Sequence, residues 1–166
     1  MMKKLIIASV IVCCFFSINV NAAKNTEVFD YDKSSRIGFN ALTAKSYDKA
    51  FKHLEKASKL GNKGAQYSLA LLYLEGKGTA QDYGQAYIWL NVATEVKEKT
   101  WRELRDKLHN AFNSKQINIL KPLVDNYIDK YGADAQDISC AKSAPTGSRR
   151  KIMRCVKTLD PDSPRL

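Results

Sequence analysis

The chain has 166 residues, enough for one ordinary domain or a little more. It carries 27 Lys and Arg against 17 Asp and Glu, a formal charge of +10, with two His and four Cys. Neither His53 nor His109 stands at a metal-ligand spacing from Cys, His, Asp or Glu, and no Gly-x-Ser-x-Gly elbow occurs, so no catalytic residue, cofactor site or metal site is expected.

The N-terminus opens on Lys3 and Lys4, runs through apolar residues from Leu5 to about Ile18, and reaches Asn19-Val20-Asn21-Ala22-Ala23. Basic, then apolar, then small is the order of a secretory signal peptide, here residues 1–22 with cleavage after Ala22. The apolar run is shorter than the ~20 residues that span a bilayer. No later segment is apolar enough, so no transmembrane segment is expected after cleavage. Cys13 follows Val12 and Cys14 follows Cys13; neither has the small preceding residue that a lipoprotein signal needs. Removing Lys3 and Lys4 leaves 25 basic and 17 acidic residues, or +8. For a periplasmic or secreted chain this balance points away from nucleic acid, toward acidic protein, lipid head groups or surface polysaccharide.

Residues 23–35 read as a linker. A weak helix follows over about Ser34–Lys45, where Gly38 costs about 1 kcal/mol. Next, Ser46 to Ala57 and Asp82 to Ala93 align at an offset of 36 residues. Tyr47 matches Tyr83, Ala50 matches Ala86, Leu54 matches Leu90 and Ala57 matches Ala93. The matched positions fall on one face of a helix, small residues alternating with large, as stacked helices require. Ser46 and Asp82 are suited to N-capping, and Gln85 completes a capping-box pattern. Between the two lies a helix from about Gly64 to Glu75, closed by Gly76-Lys77-Gly78 in a left-handed cap. Asn113 and Gln116 form another capping box. It precedes a helix whose stripe is Ile117, Leu120, Val124, Tyr127, Ile128 and Tyr131, with Pro122 expected to kink it or delay its start.

The run Ala65-Gln66-Tyr67-Ser68-Leu69-Ala70-Leu71-Leu72-Tyr73-Leu74-Glu75-Gly76-Lys77-Gly78, followed by Gln81-Asp82-Tyr83-Gly84-Gln85-Ala86-Tyr87-Ile88-Trp89-Leu90-Asn91-Val92-Ala93, resembles the Sel-one-like repeat family, relatives of tetratricopeptide repeats. The sequence departs at Ala70, where the family favours Gly, and at His53, where the second repeat has Trp89. Thr94-Glu95-Val96 replaces the usual Ala and Gly, so a third repeat starts irregularly. Arg105 to Leu108 and Asn113 to Ile117 are similar to the closing helices of exported members. The resemblance implies an all-α fold over 36–131, a short right-handed α-solenoid of antiparallel helix hairpins with capping helices. It gives Ala65, Leu69, Tyr73, Gly76, Gly78, Tyr83, Ala86, Trp89 and Ala93 structural roles. It implies protein–protein interaction, as an adaptor in the cell envelope, through a concave face between the apolar stripes. Some cysteine-rich relatives are associated with penicillin binding and weak β-lactam hydrolysis, but they carry a disulfide in each repeat and this chain carries none there. Glu55, Glu75, Glu95, Glu98 and Glu103 read as solvated charge.

Residues 132–166 break the pattern. After signal cleavage Cys140 and Cys155 are the remaining cysteines, and an even pair in an exported chain reads as a disulfide. It would close a loop of about 15 residues, worth roughly 3 kcal/mol. Within the tail, Arg149, Arg150, Lys151 and Arg154 make a candidate basic patch for an acidic partner, lipid phosphate or surface sugar. Pro145 to Ser148 read as a turn, giving a hairpin-like loop folded back on the last helix.

Overall fold

The structure is a computed structural model that describes residues 26–144, 146–149 and 151–158. The signal peptide expected at 1–22 lies outside those residues, as do Pro145 and Arg150. Among the described residues six α-helices follow one another: α1 (26–43), α2 (Tyr47–Lys59), α3 (Lys63–Glu75), α4 (Tyr83–Ala93), α5 (Lys99–Ala111) and α6 (Ser114–Tyr131). Strands β1 (Ile138–Ser143) and β2 (Ile152–Lys157) then pair antiparallel. The fold is a helical solenoid, and its disulfide-closed tail is a two-stranded β-ribbon.

Local chemistry sets the helix ends. The Asn62 carboxamide accepts from the Ala65 N–H at 2.9 Å, and Asp82 accepts from the Gln85 N–H at 2.9 Å. Asn113 and Gln116 bond reciprocally, each at 2.9 Å, as their spacing predicts. Ser46 occupies the N-cap of α2 but makes no side-chain cap bond. Gly76 ends α3 in the left-handed region at φ 62°. Gly78 has φ 70°, and a Cβ there would sit 2.3 Å from the Tyr47 carbonyl oxygen. Only glycine lets the α3–α4 loop lie so close to the start of α2.

The alanine and aromatic ladder packs the helices together. Ala50, Leu54 and Ala57 of α2, Ala65, Leu69, Ala70 and Leu72 of α3, and Ala86, Leu90, Val92 and Ala93 of α4 are buried. Tyr73 meets Phe51 edge-on at 5.3 Å between centroids. Trp89 is 2% exposed and sits between Tyr127, at 5.1 Å, and Tyr131, at 5.5 Å. Tyr83 corrects the expectation: it is 51% exposed and supports no stacking. It is the first residue of α4, and helical side chains lean toward the N-terminus, so its ring leans off the stack.

Two further expectations change, and one is met. The stretch read as a linker is helical from residue 26. Tyr31 and Ser34 are buried on α1, and Asp30 pairs with Lys56 of α2 at 2.8 Å. Gly38 is the point of contact, since a Cβ there would lie 2.8 Å from Leu54. Helix α6 runs unbroken through Pro122. Pro122 and Asn118 are both exposed, so water can take the bond the Asn118 carbonyl loses. After Ala93 the chain makes a 3-10 turn, Thr94–Val96, before α5, the irregular start the sequence implies. Among the described residues no helix is long and apolar enough to cross a membrane.

Candidate binding groove

The N-terminal end of α3 carries a feature that periodicity does not announce. Lys63 has its side chain 1% exposed. Its ammonium donates to Gln66 Oε1 at 3.2 Å, to the Val92 carbonyl at 3.2 Å and to Glu95 Oε2. Glu95 Oε2 also accepts from the Ala133 N–H at 3.0 Å. Gln66 in turn donates to the carbonyls of Ser58, at 3.0 Å, and Tyr131, at 2.8 Å. Burial pushes the Lys63 pKa down, opposed by the Glu95 carboxylate. Glu95 stays exposed as its polarity predicts, with 29% of its side chain open to solvent, but its carboxylate is engaged. It closes a network that ties α2, α3, the turn after α4 and the end of α6 together.

A groove of about 480 Å³ opens above this point. Asn62 and Gly64 line its base, and Val96, Glu98, Thr100 and Trp101 line one side. Trp101 stacks on Tyr67 of α3 with centroids 4.7 Å apart and planes 8° from parallel, which holds the indole fixed. Tyr31 of α1 lines the groove too, and burial first, then Asp32, raises its pKa to about 12.

The ribbon forms the remaining wall. Cys140 lies opposite Cys155, and the two are joined by a disulfide with Cα atoms 4.0 Å apart. The Tyr31 hydroxyl donates to the Cys155 carbonyl at 3.5 Å. Lys157 is 5% exposed at its side chain, pairs with Glu27 of α1 at 2.8 Å, and donates to the carbonyls of Gln136, at 3.0 Å, and Leu60, at 3.4 Å. A Cβ on Gly61 would lie 2.6 Å from Gln136 and 2.8 Å from Ile138. The tail thus seats on α1 and the α2–α3 turn; it is not folded back on the last helix. The strand alternation then sets what each face carries. Cys140, Lys142, Lys151, Met153 and Cys155 share the groove face, while Arg154, Ile152 and Val156 belong to the other.

The sequence-predicted sites divide accordingly. Cys140 and Cys155 are bonded. Lys151 lines the groove, Arg154 is exposed on the opposite face of the ribbon, Arg149 is exposed in the connecting turn, and Arg150 lies outside the described residues. Lys151 and Arg154 therefore lie on opposite faces of the ribbon. The groove instead brings Lys151 beside Lys142, Met153, Tyr31 and Trp101. The repeat pattern does not point to Trp101; its signal was rarity, as one of two tryptophans in the chain. His53 is half-buried on α2, and its pKa is lowered by burial, then by Lys49, Lys52, Lys56 and Lys33. Among the described residues no group of three or more His, Cys, Asp or Glu could hold a metal ion.

Comparison with known proteins gives a consistent result. The Sel1 repeat family matches residues 38–62 and 64–95. A solved structure of c5321, a protective antigen present in uropathogenic Escherichia coli strains and described as displaying an SLR fold, is similar with a TM-score of 0.54 and 26% identity over 69% of this chain. This chain spans 25% of that structure's length. No curated protein matches the sequence.

Proposed function

Because this chain is a Sel1-like repeat protein, with repeats over 38–62 and 64–95, we propose that it is an exported adaptor that holds a protein partner of the cell envelope in the groove between α1, α3, α5 and the ribbon. The observation that carries the reading is the division of labour among aromatic residues. Trp89 is consumed by packing against Tyr127 and Tyr131, whereas Trp101 is only half-buried and lines the groove. Fixed aromatic surface beside polar rims is what protein interfaces use as anchors. The disulfide and the expected signal peptide support a place outside the cytoplasm.

The test is capture from envelope extract on the immobilised mature chain. Wild type is expected to enrich an envelope protein, Trp101→Ala to lose it, and Arg154→Glu, on the far face of the ribbon, to keep it. Enrichment of nothing, or enrichment indifferent to Trp101, overturns the reading. A second reading, binding of acidic lipid or surface polysaccharide by the ribbon, is favoured by exposed Arg149 and Arg154 beside exposed Ile152 and Val156. It requires salt-sensitive binding that Arg149→Glu with Arg154→Glu abolishes and Trp101→Ala spares.

A further inference from the structure

Among the described residues the ribbon has two strands, and no further strand pairs with either edge. The phase of the ladder tells which backbone groups point out. The Thr158 N–H donates to the Asp137 carbonyl at 2.9 Å, so Asp137 and Thr158 face each other as a bonded pair. Bonded pairs alternate along an antiparallel ladder. Ser139 and Val156, then Ala141 and Arg154, are therefore bonded, while Cys140 and Cys155, then Lys142 and Met153, are not. Two facts agree with this phase. The Cys140–Cys155 Cα separation of 4.0 Å fits a non-bonded pair, and the Cys155 carbonyl is turned away from β1 to meet Tyr31.

It follows that Met153 turns both its N–H and its carbonyl outward from β2. Tyr31 already takes the Cys155 carbonyl at one end of that edge. From Lys151 to Met153 the edge borders the groove, and even Ile152, whose side chain belongs to the other face, lines it. The same groove face presents the ammonium groups of Lys142 and Lys151, and neither has an ion-pair partner among the described residues. Against them stands one groove carboxylate, Glu98. Lys63 adds no free charge there, since Glu95 pairs with it.

An unpaired strand edge accepts an extended segment through main-chain bonds, and alternate side chains of that segment meet one face. We infer that the groove binds an extended acidic peptide of the partner as a third strand on the edge of β2, with its carboxylates over Lys142 and Lys151 and its main chain bonded to Met153. This deepens the adaptor reading and rests on it for the source of the peptide.

The probe is a fluorescein-labelled peptide of about seven residues alternating Glu and Val, with a Lys and Val peptide as control, titrated by anisotropy against the full mature chain. Only the acidic peptide is expected to bind. Lys142→Glu with Lys151→Glu is expected to weaken it about tenfold or more, and Met153→Pro roughly fivefold. Proline at Met153 removes an N–H that β1 does not use, and edge positions tolerate it. Because Met153→Pro could disturb the ribbon, the Met153 amide of the wild type is followed by hydrogen exchange, which the acidic peptide is expected to slow. Arg154→Glu is expected to change nothing. Binding indifferent to Met153→Pro, an unprotected Met153 amide, no acidic-peptide binding, or binding of phosphatidylglycerol vesicles in its place each overturns the strand-addition site. If the peptide fails while Trp101-dependent capture holds, strand addition falls and the adaptor reading stands; if capture fails while the peptide binds, the reverse holds.

Discussion

Glu95→Gln is expected to lower the unfolding free energy by about 2 kcal/mol, less than breaking a fully buried ion pair costs, because Lys63 is buried while Glu95 is partly open to solvent. The cost comes from Lys63, whose ammonium is shut away at 1% exposure and would be left with neutral oxygens alone, those of Gln66, Val92 and the new carboxamide. Lys63→Met in the Glu95→Gln background is expected to recover most of the loss, since it removes the uncompensated charge and keeps the volume. Chemical denaturation of the two single variants and the double variant closes the cycle. The pH dependence has a definite sign. Burial lowers the Lys63 pKa below its ordinary value of 10.5, so in that window the unfolded chain binds more protons and this group's contribution to stability rises with pH. Wild type is therefore expected to gain stability relative to Lys63→Met as pH climbs toward 10.5. A flat difference would show that the ammonium is not desolvated.

The second large effect concerns the ladder. Trp89→Ala is expected to cost about 3–5 kcal/mol, because it empties a site closed by Tyr127 and Tyr131. Tyr83→Ala, at a repeat position that recurs as Tyr47, is expected to cost within about 0.5 kcal/mol, because Tyr83 is 51% exposed. Thermal or urea unfolding of the pair separates residues that glue hairpins from residues that only follow the pattern. Equal losses would contradict the packing described above.

Much of the solenoid was legible because its signals are local. Asn113 with Gln116, Asp82, and Gly76 mark helix ends through bonds to residues three or four positions away, and Ala50, Leu54, Ala86 and Leu90 mark faces through helical spacing. The groove was less legible because it is assembled from distant segments. Tyr31, Trp101 and Met153 belong to different elements, and no pattern within one element relates them. The burial of Lys63 has no local signal for a physical reason: the polarity of a single lysine predicts exposure, and burial of its charge becomes tolerable only when a partner 32 residues away arrives. The ribbon was half-visible. Cys140 and Cys155 predicted its closure, but Ile152, Arg154 and Val156 put apolar and basic groups on one solvent face, which blurs the alternation a strand normally shows. The helical extension over 26–35 rests on Tyr31 and Ser34 meeting the rest of the fold, information absent from the residues themselves.

The central claim is that the repeats exist to build a groove, and that binding happens there. Hydrogen–deuterium exchange on the mature protein, alone and with the captured envelope partner, tests it most directly. Slowed exchange at 96–101 and 151–155, with α4 and α6 unchanged, is the expected footprint. Protection confined to α4 or α6, with 96–101 and 151–155 untouched, would contradict it.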